Sequence, residues 1–201
     1  MDNVSFWKKG VLYLTRIGVI SDTHGSVSSW EKALQVWGDI DLIIHCGDVI
    51  YHGPSNALPE DYNTKSLPSL INSSQVPVLI AKGNCDSEVD QQVIKWPIMS
   101  PYIVVWWEGR LLMATHGTSF TKTREDSRKF APDLVLTGHT HIASLTEEDG
   151  TLYLNPGSAS LPKGRDPASV AILEPEGIII RTLNGEMLYH QEWNRPGRFS
   201  L

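Results

Sequence analysis

Five short apolar segments of this sequence end on aspartate, asparagine or histidine, with a glycine close by. In chain order these ends are Asp22-Thr23-His24, Gly47-Asp48, Gly83-Asn84, His116-Gly117 and Gly138-His139-Thr140-His141. Short apolar runs bounded by turn residues predict buried β-strands. In open α/β sheets, ligands bind in the crevice beyond the carboxyl ends of the strands. The pattern therefore predicts that the five ends meet at one edge of the fold.

The fifth end holds two histidines separated by one residue. Residues at i and i+2 of an extended chain point to the same side, so His139 and His141 are expected to face one point in space. On its own, such a pair more often lies on the protein surface without binding a metal. Asp22 or Asn84 alone would be interpreted as a turn former or helix cap. Five coincident strand ends of this type favour a shared metal site over five separate turns.

The side chains at these ends are nitrogen and oxygen donors that bind divalent cations. They are too many for one tetrahedral ion and suit two ions that keep open positions for water. No thiolate is needed, which argues against a structural zinc site. Asp48, in the middle of the series, is the natural bridge between two ions. The predicted ligands are Asp22, His24, Asp48, Asn84, His116, His139 and His141, whereas His45 and His190 are assigned to strands outside the site.

Between the strand ends, the first half of the chain predicts helices. Residues 27–37 place apolar side chains on one helical face. Ser28 and Glu31 fit a capping box at the start of this helix, and Gly38 fits the left-handed residue that closes many helices. A second helix is expected near residues 65–73. The first half therefore has the β–α–β arrangement of a parallel sheet.

The second half predicts hairpins and one polar helix near residues 122–129. The dipeptides Glu108-Gly109, Asp149-Gly150 and Asn184-Gly185 each lie between two strand-like segments. The last two favour a tight primed turn. Two mixed sheets packed face to face, with helices outside, would bury both sets of strands. The expected fold class is α/β, arranged as a two-sheet sandwich.

Length, charge and hydropathy describe an ordinary globular protein. The 201 residues suit one domain, which we expect over residues 11–201 after a short extension at residues 1–10. The net charge of -6 argues against nucleic acid as the main partner, because duplex binding needs a concentrated basic face. No apolar run reaches the roughly 20 residues that cross a bilayer. Two isolated cysteines, Cys46 and Cys85, give no disulfide framework and indicate reduced thiols in the cytoplasm.

In order and type, the five strand ends resemble the motifs of the calcineurin-like metallophosphoesterases over nearly the whole chain. The resemblance is closer still to the small bacterial YfcE-type phosphodiesterases, through residues 47–63, residues 83–91 and Asn155-Pro156-Gly157-Ser158. It implies a four-layer α/β/β/α sandwich and a binuclear centre, usually with Mn²⁺; the same ligands accept Zn²⁺, Fe²⁺ or Co²⁺. Carried over by motif, one ion is held by Asp22, His24 and His141, the other by Asn84, His116 and His139, with Asp48 bridging.

The implied reaction is hydrolysis of a small phosphodiester, such as an activated aryl diester, by a hydroxide that bridges the two ions. Many relatives in the superfamily carry a histidine after the asparagine, where it can protonate the leaving group, but this chain has Cys85. A thiol with a reference pKa of about 8.5 is a poor acid for that step. We therefore expect a preference for leaving groups of low pKa. His52 is the other candidate proton donor, and it could equally be an exposed loop histidine.

Other functions stay open from the sequence alone. A protein-binding scaffold could use the same fold without catalysis, as the related retromer subunit does, although every ligand position is intact here. A nuclease fits the net charge poorly. A cysteine phosphatase is excluded, because His52 and Gln91 occupy the positions where its motif needs arginine. The expected partner is a small phosphoester, and the relatives imply that a homo-oligomer could form.

Overall fold

The computed structural model describes residues 16–99 and 101–193, which form two mixed β-sheets and four helices. The strands are β1 (Ile17–Ile20), β2 (Leu42–His45), β3 (Val78–Ala81), β4 (Ile98–Met99), β5 (Ile103–Trp107), β6 (Arg110–Ala114), β7 (Leu134–Leu136), β8 (Ala143–Glu148), β9 (Thr151–Pro156), β10 (Ser169–Glu174), β11 (Gly177–Thr182) and β12 (Met187–Glu192). The helices are α1 (Val27–Trp37), α2 (Ser66–Asn72), α3 (Asp90–Val93) and α4 (Phe120–Phe130). The predicted extension at residues 1–10 lies outside the described ranges.

Both sheets are mixed: antiparallel strands lie on one side of the parallel strands in the seven-stranded sheet and on both sides in the five-stranded sheet. The seven-stranded sheet has the order β12-β11-β10-β1-β2-β3-β4, and β1 to β4 run parallel. The five-stranded sheet has the order β5-β6-β7-β9-β8, and β6, β7 and β9 run parallel. Parallel neighbours end at the same edge of a sheet, so the loops after β1, β2 and β3 lie next to one another, as do those after β6 and β7.

Aliphatic side chains from both sheets fill the space between them. Val19 of β1 and Leu136 of β7 are fully buried in this shared core. The opposite face of the seven-stranded sheet packs against α1 and α2, where Ile43 of β2 and Trp37 of α1 belong to a second buried cluster. Strands covered on both faces appear in sequence as continuous apolar runs, which is why the buried strands were recognisable.

Helix α4 covers the outer face of the five-stranded sheet. Along β9, Leu152 and Leu154 belong to the core between the sheets, so Tyr153 points outwards. Its hydroxyl lies 2.8 Å from the Oγ of Ser127 on α4. Helix α4 is thus the fourth layer, and the predicted two-sheet α/β/β/α sandwich is confirmed.

Within the described ranges, no helix has the length and apolarity that crossing a bilayer requires.

The cap of α1 differs from the prediction. Ser26, not Ser28, is the N-cap, and its Oγ accepts the backbone N–H of Ser29 at 3.3 Å. The backbone N–H of Ser28 donates instead to the carboxylate of Asp61, a residue of the long loop after β2. The predicted capping box of Ser28 with Glu31 is therefore wrong, because a carboxylate from a distant segment satisfies this helix end.

Other boundaries agree with the prediction, apart from one turn and three elements that were not predicted. Gly38 closes α1 with a φ of 63°, and Asp149-Gly150 forms the expected turn with φ values of 50° and 76°. Of the pair Asn184-Gly185, only Gly185 takes a positive φ, and Thr182 pairs with Glu186 around a three-residue loop. A bulge accompanies that loop. Strand β10 and the short elements α3 and β4 were not predicted.

Removing the Ser26 hydroxyl should destabilise the protein more than removing that of Ser28. We expect Ser26→Ala to lower the free energy of unfolding by about 1 kcal/mol, because an orphan helix N–H and a buried hydrogen-bond network lose their partner. Ser28→Ala is the matched control and should cost less. Urea denaturation of both variants measures the difference, and a larger loss for Ser28→Ala would contradict the observed cap.

Candidate metal centre

All five predicted strand ends meet at one place, where the two sheets adjoin. The backbone N–H of Asp22 donates to the carbonyl of Gly47 at 3.0 Å, which joins the first two ends. The backbone N–H of His139 donates to Asp22 Oδ2 at 3.0 Å, which joins the fifth end to the first. His116 Nε2 lies 3.0 Å from Asn84 Oδ1, so the third and fourth ends also meet.

Five of the predicted ligands have a left-handed backbone conformation. Their φ angles are 54° at Asp22, 44° at His24, 59° at Asp48, 68° at His139 and 61° at His141. This conformation costs an ordinary residue about 1–2 kcal/mol, although aspartate and histidine are found there more often than most. The sharp turn lets each strand end direct its side chain into the crevice.

The two histidines of the last strand end face different partners. The expectation that an extended backbone aims His139 and His141 at one point is wrong, because both are left-handed. The ring of His141 lies 5.0 Å from that of His24, between centroids. The ring of His139 lies 5.1 Å from that of His116. The pair is thus divided between two neighbouring groups of side chains.

Backbone carbonyls fix the orientation of three imidazoles. In each ring Nδ1 lies within hydrogen-bond distance of a carbonyl oxygen: His24 with Tyr51 at 2.7 Å, His116 with Cys46 at 2.8 Å and His141 with Leu161 at 2.6 Å. A carbonyl can only accept, so Nδ1 carries the proton and, in the neutral ring, Nε2 keeps its lone pair. Metal-binding histidines are commonly held this way by their second nitrogen.

The first group consists of Asp22, His24 and His141, all buried. The Nε2 atoms of the two histidines are 3.2 Å apart, and Asp22 Oδ1 lies 3.7 Å from the first and 3.3 Å from the second. This carboxylate oxygen has no hydrogen-bond partner among the described residues. Burial lowers the pKa of His24, which keeps its ring neutral. Converging lone pairs without a proton between them are the arrangement that a cation stabilises.

The second group forms around Asp48. Asp48 Oδ2 lies 3.3 Å from His116 Nε2 and 3.9 Å from His24 Nε2, so this carboxylate stands between the two groups. Its Oδ1 accepts the backbone N–H of Cys85 at 2.8 Å. Burial alone would raise the pKa of Asp48, but the hydrogen bond and charge of His116 hold that pKa below its ordinary value. A Cβ at Gly83 would lie 2.1 Å from Asp48 Oδ1, so only glycine fits there.

The donor set fits divalent cations in both groups. The orphaned oxygen of Asp22 and the carbonyl-bound rings leave unshared lone pairs directed inwards. All seven predicted ligands lie in the region, although Asn84 is exposed. Carboxylate, amide and imidazole donors match manganese, iron, cobalt or zinc and do not by themselves choose among them.

Sequence reasoning missed the part played by Asp86. Its buried carboxylate accepts three backbone N–H groups, from Asp48 at 2.8 Å, Val49 at 2.8 Å and Gly83 at 2.7 Å. These bonds clamp the loop after β2 to the loop after β3. The only sequence signal was an aspartate two residues after Asn84, and nothing local shows that its partners lie in another loop.

A buried chain of hydrogen bonds through His45 links the first two loops. The N–H of Gly47 donates to His45 Nδ1 at 3.1 Å, so Nε2 carries the proton and donates to Thr23 Oγ1 at 3.0 Å. The Thr23 hydroxyl donates in turn to the carbonyl of Val49 at 2.8 Å. Burial lowers the pKa of His45 to about 3, so the ring stays neutral. As predicted, His45 is a strand side chain, and His190 is an exposed residue of β12.

The turn after β9 supports the centre from behind. The hydroxyls of Ser158 and Ser160 donate to the carbonyl of Asp22 at 2.8 and 2.9 Å. Asn155 Nδ2 donates to the carbonyl of Gly138 at 2.7 Å. The segment Asn155-Pro156-Gly157-Ser158 thus holds the first and fifth strand ends in place.

The two candidate proton donors differ in their surroundings. Cys85 Sγ lies within 4.8 Å of ligand atoms of His24 and Asp48. Burial and the carboxylate of Asp48 raise the pKa of the Cys85 thiol to about 12, so it keeps its proton at neutral pH. His52 packs edge-on against Tyr51 and Tyr62, with ring centroids 4.8 and 5.4 Å away. Its buried Nδ1 has no hydrogen-bond partner among the described residues.

Residues 15–177 match the model of a protein family described as "Calcineurin-like phosphoesterase superfamily domain". Phosphodiesterase YfcE of Escherichia coli (strain K12) is 35% identical over 173 residues, which span 85% of this chain and 94% of YfcE. Probable metallophosphoesterase YsnB of Bacillus subtilis (strain 168) is 28% identical over 165 residues, or 79% of this chain and 83% of YsnB. The chain therefore belongs to the calcineurin-like phosphoesterase superfamily, as its motifs indicated.

Solved structures agree with this membership. The structure of YfcE, a phosphoesterase from E. coli, matches with a TM-score of 0.79 and 31% identity over 89% of this chain and 100% of YfcE. Vacuolar Protein Sorting 29 from Cryptosporidium parvum matches with a TM-score of 0.63 and 19% identity, over 90% and 98% of the two chains. The second match shows the shared fold alone.

Replacing Asp86 by asparagine should loosen both loops that it holds. The amide offers one acceptor and turns N–H donors towards backbone N–H groups, so we expect a loss of about 1–3 kcal/mol in the free energy of unfolding. Glu88→Gln, an exposed neighbour, is the control and should change stability by less than about 0.5 kcal/mol. Chemical denaturation measures the free energy of unfolding of each variant. Equal stability of Asp86→Asn and wild type would refute the clamp.

Proposed function

We propose that this protein hydrolyses small phosphodiesters with two divalent metal ions. The observation that carries the proposal is the carboxylate of Asp48, which stands between two groups of inward-directed nitrogen and oxygen atoms. The 35% identity to a phosphodiesterase, over most of both chains, supports the same reaction class. Activated aryl diesters are the expected substrates in vitro.

The motifs and the observed grouping suggest the same division of ligands. Asp22, His24 and His141 would hold one ion, and Asn84, His116 and His139 the other, with Asp48 shared. We propose Mn²⁺ as the working metal, with Zn²⁺, Fe²⁺ or Co²⁺ as alternatives of the same ligand preference. When bound, such ions supply positive charge to the phosphate and generate a nucleophile from water near neutral pH.

The chain's own residues supply orientation and electrostatics. The carbonyl bonds to His24, His116 and His141 prevent these rings from rotating, so no reorganisation is needed when substrate arrives. The amide of Asn84, exposed at the mouth of the centre, can donate a hydrogen bond to a phosphate oxygen. Cys85 holds its proton too tightly to give it to a leaving group.

The rate should therefore depend steeply on the leaving group. Across a series of aryl phosphodiesters, we expect kcat/KM to fall steadily as the pKa of the departing phenol rises, because the phenolate leaves without a proton. Cys85→Ser should show the same dependence. A flat plot for wild type would show that an acid does protonate the leaving group, and His52→Gln would then test the remaining candidate.

Asp48→Asn should remove turnover and weaken metal binding. The substitution keeps the shape but removes the charge between the two groups, so we expect metal affinity to fall at least about 10-fold and bis(p-nitrophenyl) phosphate hydrolysis to be lost. Asp149→Asn, in an exposed turn, is the matched control. Metal content after manganese loading and diester turnover are the measurements.

Two outcomes would count against this function. Equal turnover by Asp48→Asn and wild type would contradict the site. Less than one bound ion per wild-type chain, with no turnover, would instead favour the non-catalytic scaffold, a role the shared fold also permits.

We further propose a cytoplasmic location and a small phosphoester as the partner. The two free cysteines, one buried and one partly buried, suit a reducing compartment. The net charge of -6 disfavours a nucleic acid backbone as the main ligand.

A further inference from the structure

A small cleft adjoins the candidate centre on the side of His116. Its volume is about 190 Å³ and its wall includes His116 itself. The rest of the wall comes from the end of β3, the segment before β5, the loop after β6 and α4, and includes Lys82, Tyr102, Lys122 and Asp126. A group attached to a phosphate at the centre can therefore extend into this cleft.

Of the two lysines in the cleft wall, Lys122 has a carboxylate partner in the described part of the chain and Lys82 does not. Lys122 Nζ lies 2.6 Å from Asp126 Oδ2, and Lys129 lies 3.2 Å from the other oxygen of the same carboxylate. Tyr102 also donates to Asp126. By contrast, no carboxylate among the described residues lies within ion-pair distance of Lys82, which is exposed and directly precedes Gly83-Asn84. Lys82 therefore supplies a positive charge at the cleft that no carboxylate among the described residues faces.

The wall exposes more apolar than polar surface, which suits a short hydrocarbon arm. The cleft volume of about 190 Å³ admits a chain of a few heavy atoms rather than a large ring system. The ammonium of Lys82, which has no carboxylate partner among the described residues, complements a negatively charged group at the end of such a chain.

We propose that this cleft binds one ester arm of the substrate and that Lys82 selects phosphodiesters whose arm carries a negative charge. The inference rests on the proposed function of the adjoining centre. Lys82 acts here as a specificity-determining residue, which contacts the arm and leaves the reaction at phosphorus unchanged.

Two matched substrates test this selection. p-Nitrophenyl carboxypropyl phosphate and p-nitrophenyl butyl phosphate share a leaving group and differ in the charge of the other arm. We expect wild type to show a KM about three- to fivefold lower for the carboxylate arm, as an exposed ion pair allows, with similar kcat. Lys82→Met, which keeps the hydrocarbon stem, should lose this preference, and Lys82→Arg should retain it.

Lys65→Met is the control, because Lys65 is also exposed but lies at the start of α2, away from the cleft. It should preserve the preference. Added salt should reduce the preference in wild type, since it screens exposed charges. The same preference in Lys82→Met and wild type, or an equal loss on both substrates, would overturn the proposal.

A binding measurement separates this inference from the proposed function. Calorimetry of the manganese-loaded protein with carboxypropylphosphonate and butylphosphonate, which are not hydrolysed, needs no turnover. If neither diester is cleaved, the function fails. A three- to fivefold tighter binding of the carboxylate ligand that disappears in Lys82→Met would still support the cleft, and equal binding of both ligands by wild type would reject it.

Discussion

The candidate centre depends on five aspartates and histidines that hold a left-handed backbone at the ends of strands. This conformation is unfavourable by about 1–2 kcal/mol for each such residue, so the surrounding structure must fix it. It does so with bonds that cross between loops: Asp86 joins the loop after β2 to the loop after β3, and His45 joins the loop after β2 to the loop after β1 through Thr23. Strain at the site is thus balanced by polar contacts directly behind it.

The imidazoles are likewise held by hydrogen bonds to other parts of the chain. The carbonyls that hold His24, His116 and His141 belong to the loop after β2 and the loop after β9, which are remote from those histidines in sequence. Each ring is therefore fixed by a part of the chain other than the one that carries it. Such cross-bracing preorganises the Nε2 atoms before any ligand binds.

Much of the site could be predicted because it follows from strand order. The apolar runs before Asp22, Asp48 and Asn84 marked buried parallel strands, and parallel strands end at one edge. Their side chains needed no further information to be placed together. The assignment of His139 and His141 to separate groups came from the family resemblance, whereas the argument from an extended backbone wrongly predicted that both face one point.

What could not be predicted rests on long-range contacts. The cap of α1 depends on Asp61, which lies in another loop, and the clamp by Asp86 depends on amides of the loop after β2. Strand β10 owes its place to pairing with β1, its partner across more than half of the chain. The local sequence pattern does not indicate such partners, because they come into contact only when the chain has folded.

The clamp made by Asp86 has a consequence for how the centre opens. One carboxylate accepts the backbone N–H groups of Asp48, Val49 and Gly83. If one of these groups leaves while the other two stay bound, the buried carboxylate loses part of its hydrogen bonding. Local opening should therefore be cooperative here. In amide hydrogen exchange, the three positions would then report a single event, with two adjoining loops leaving the centre together.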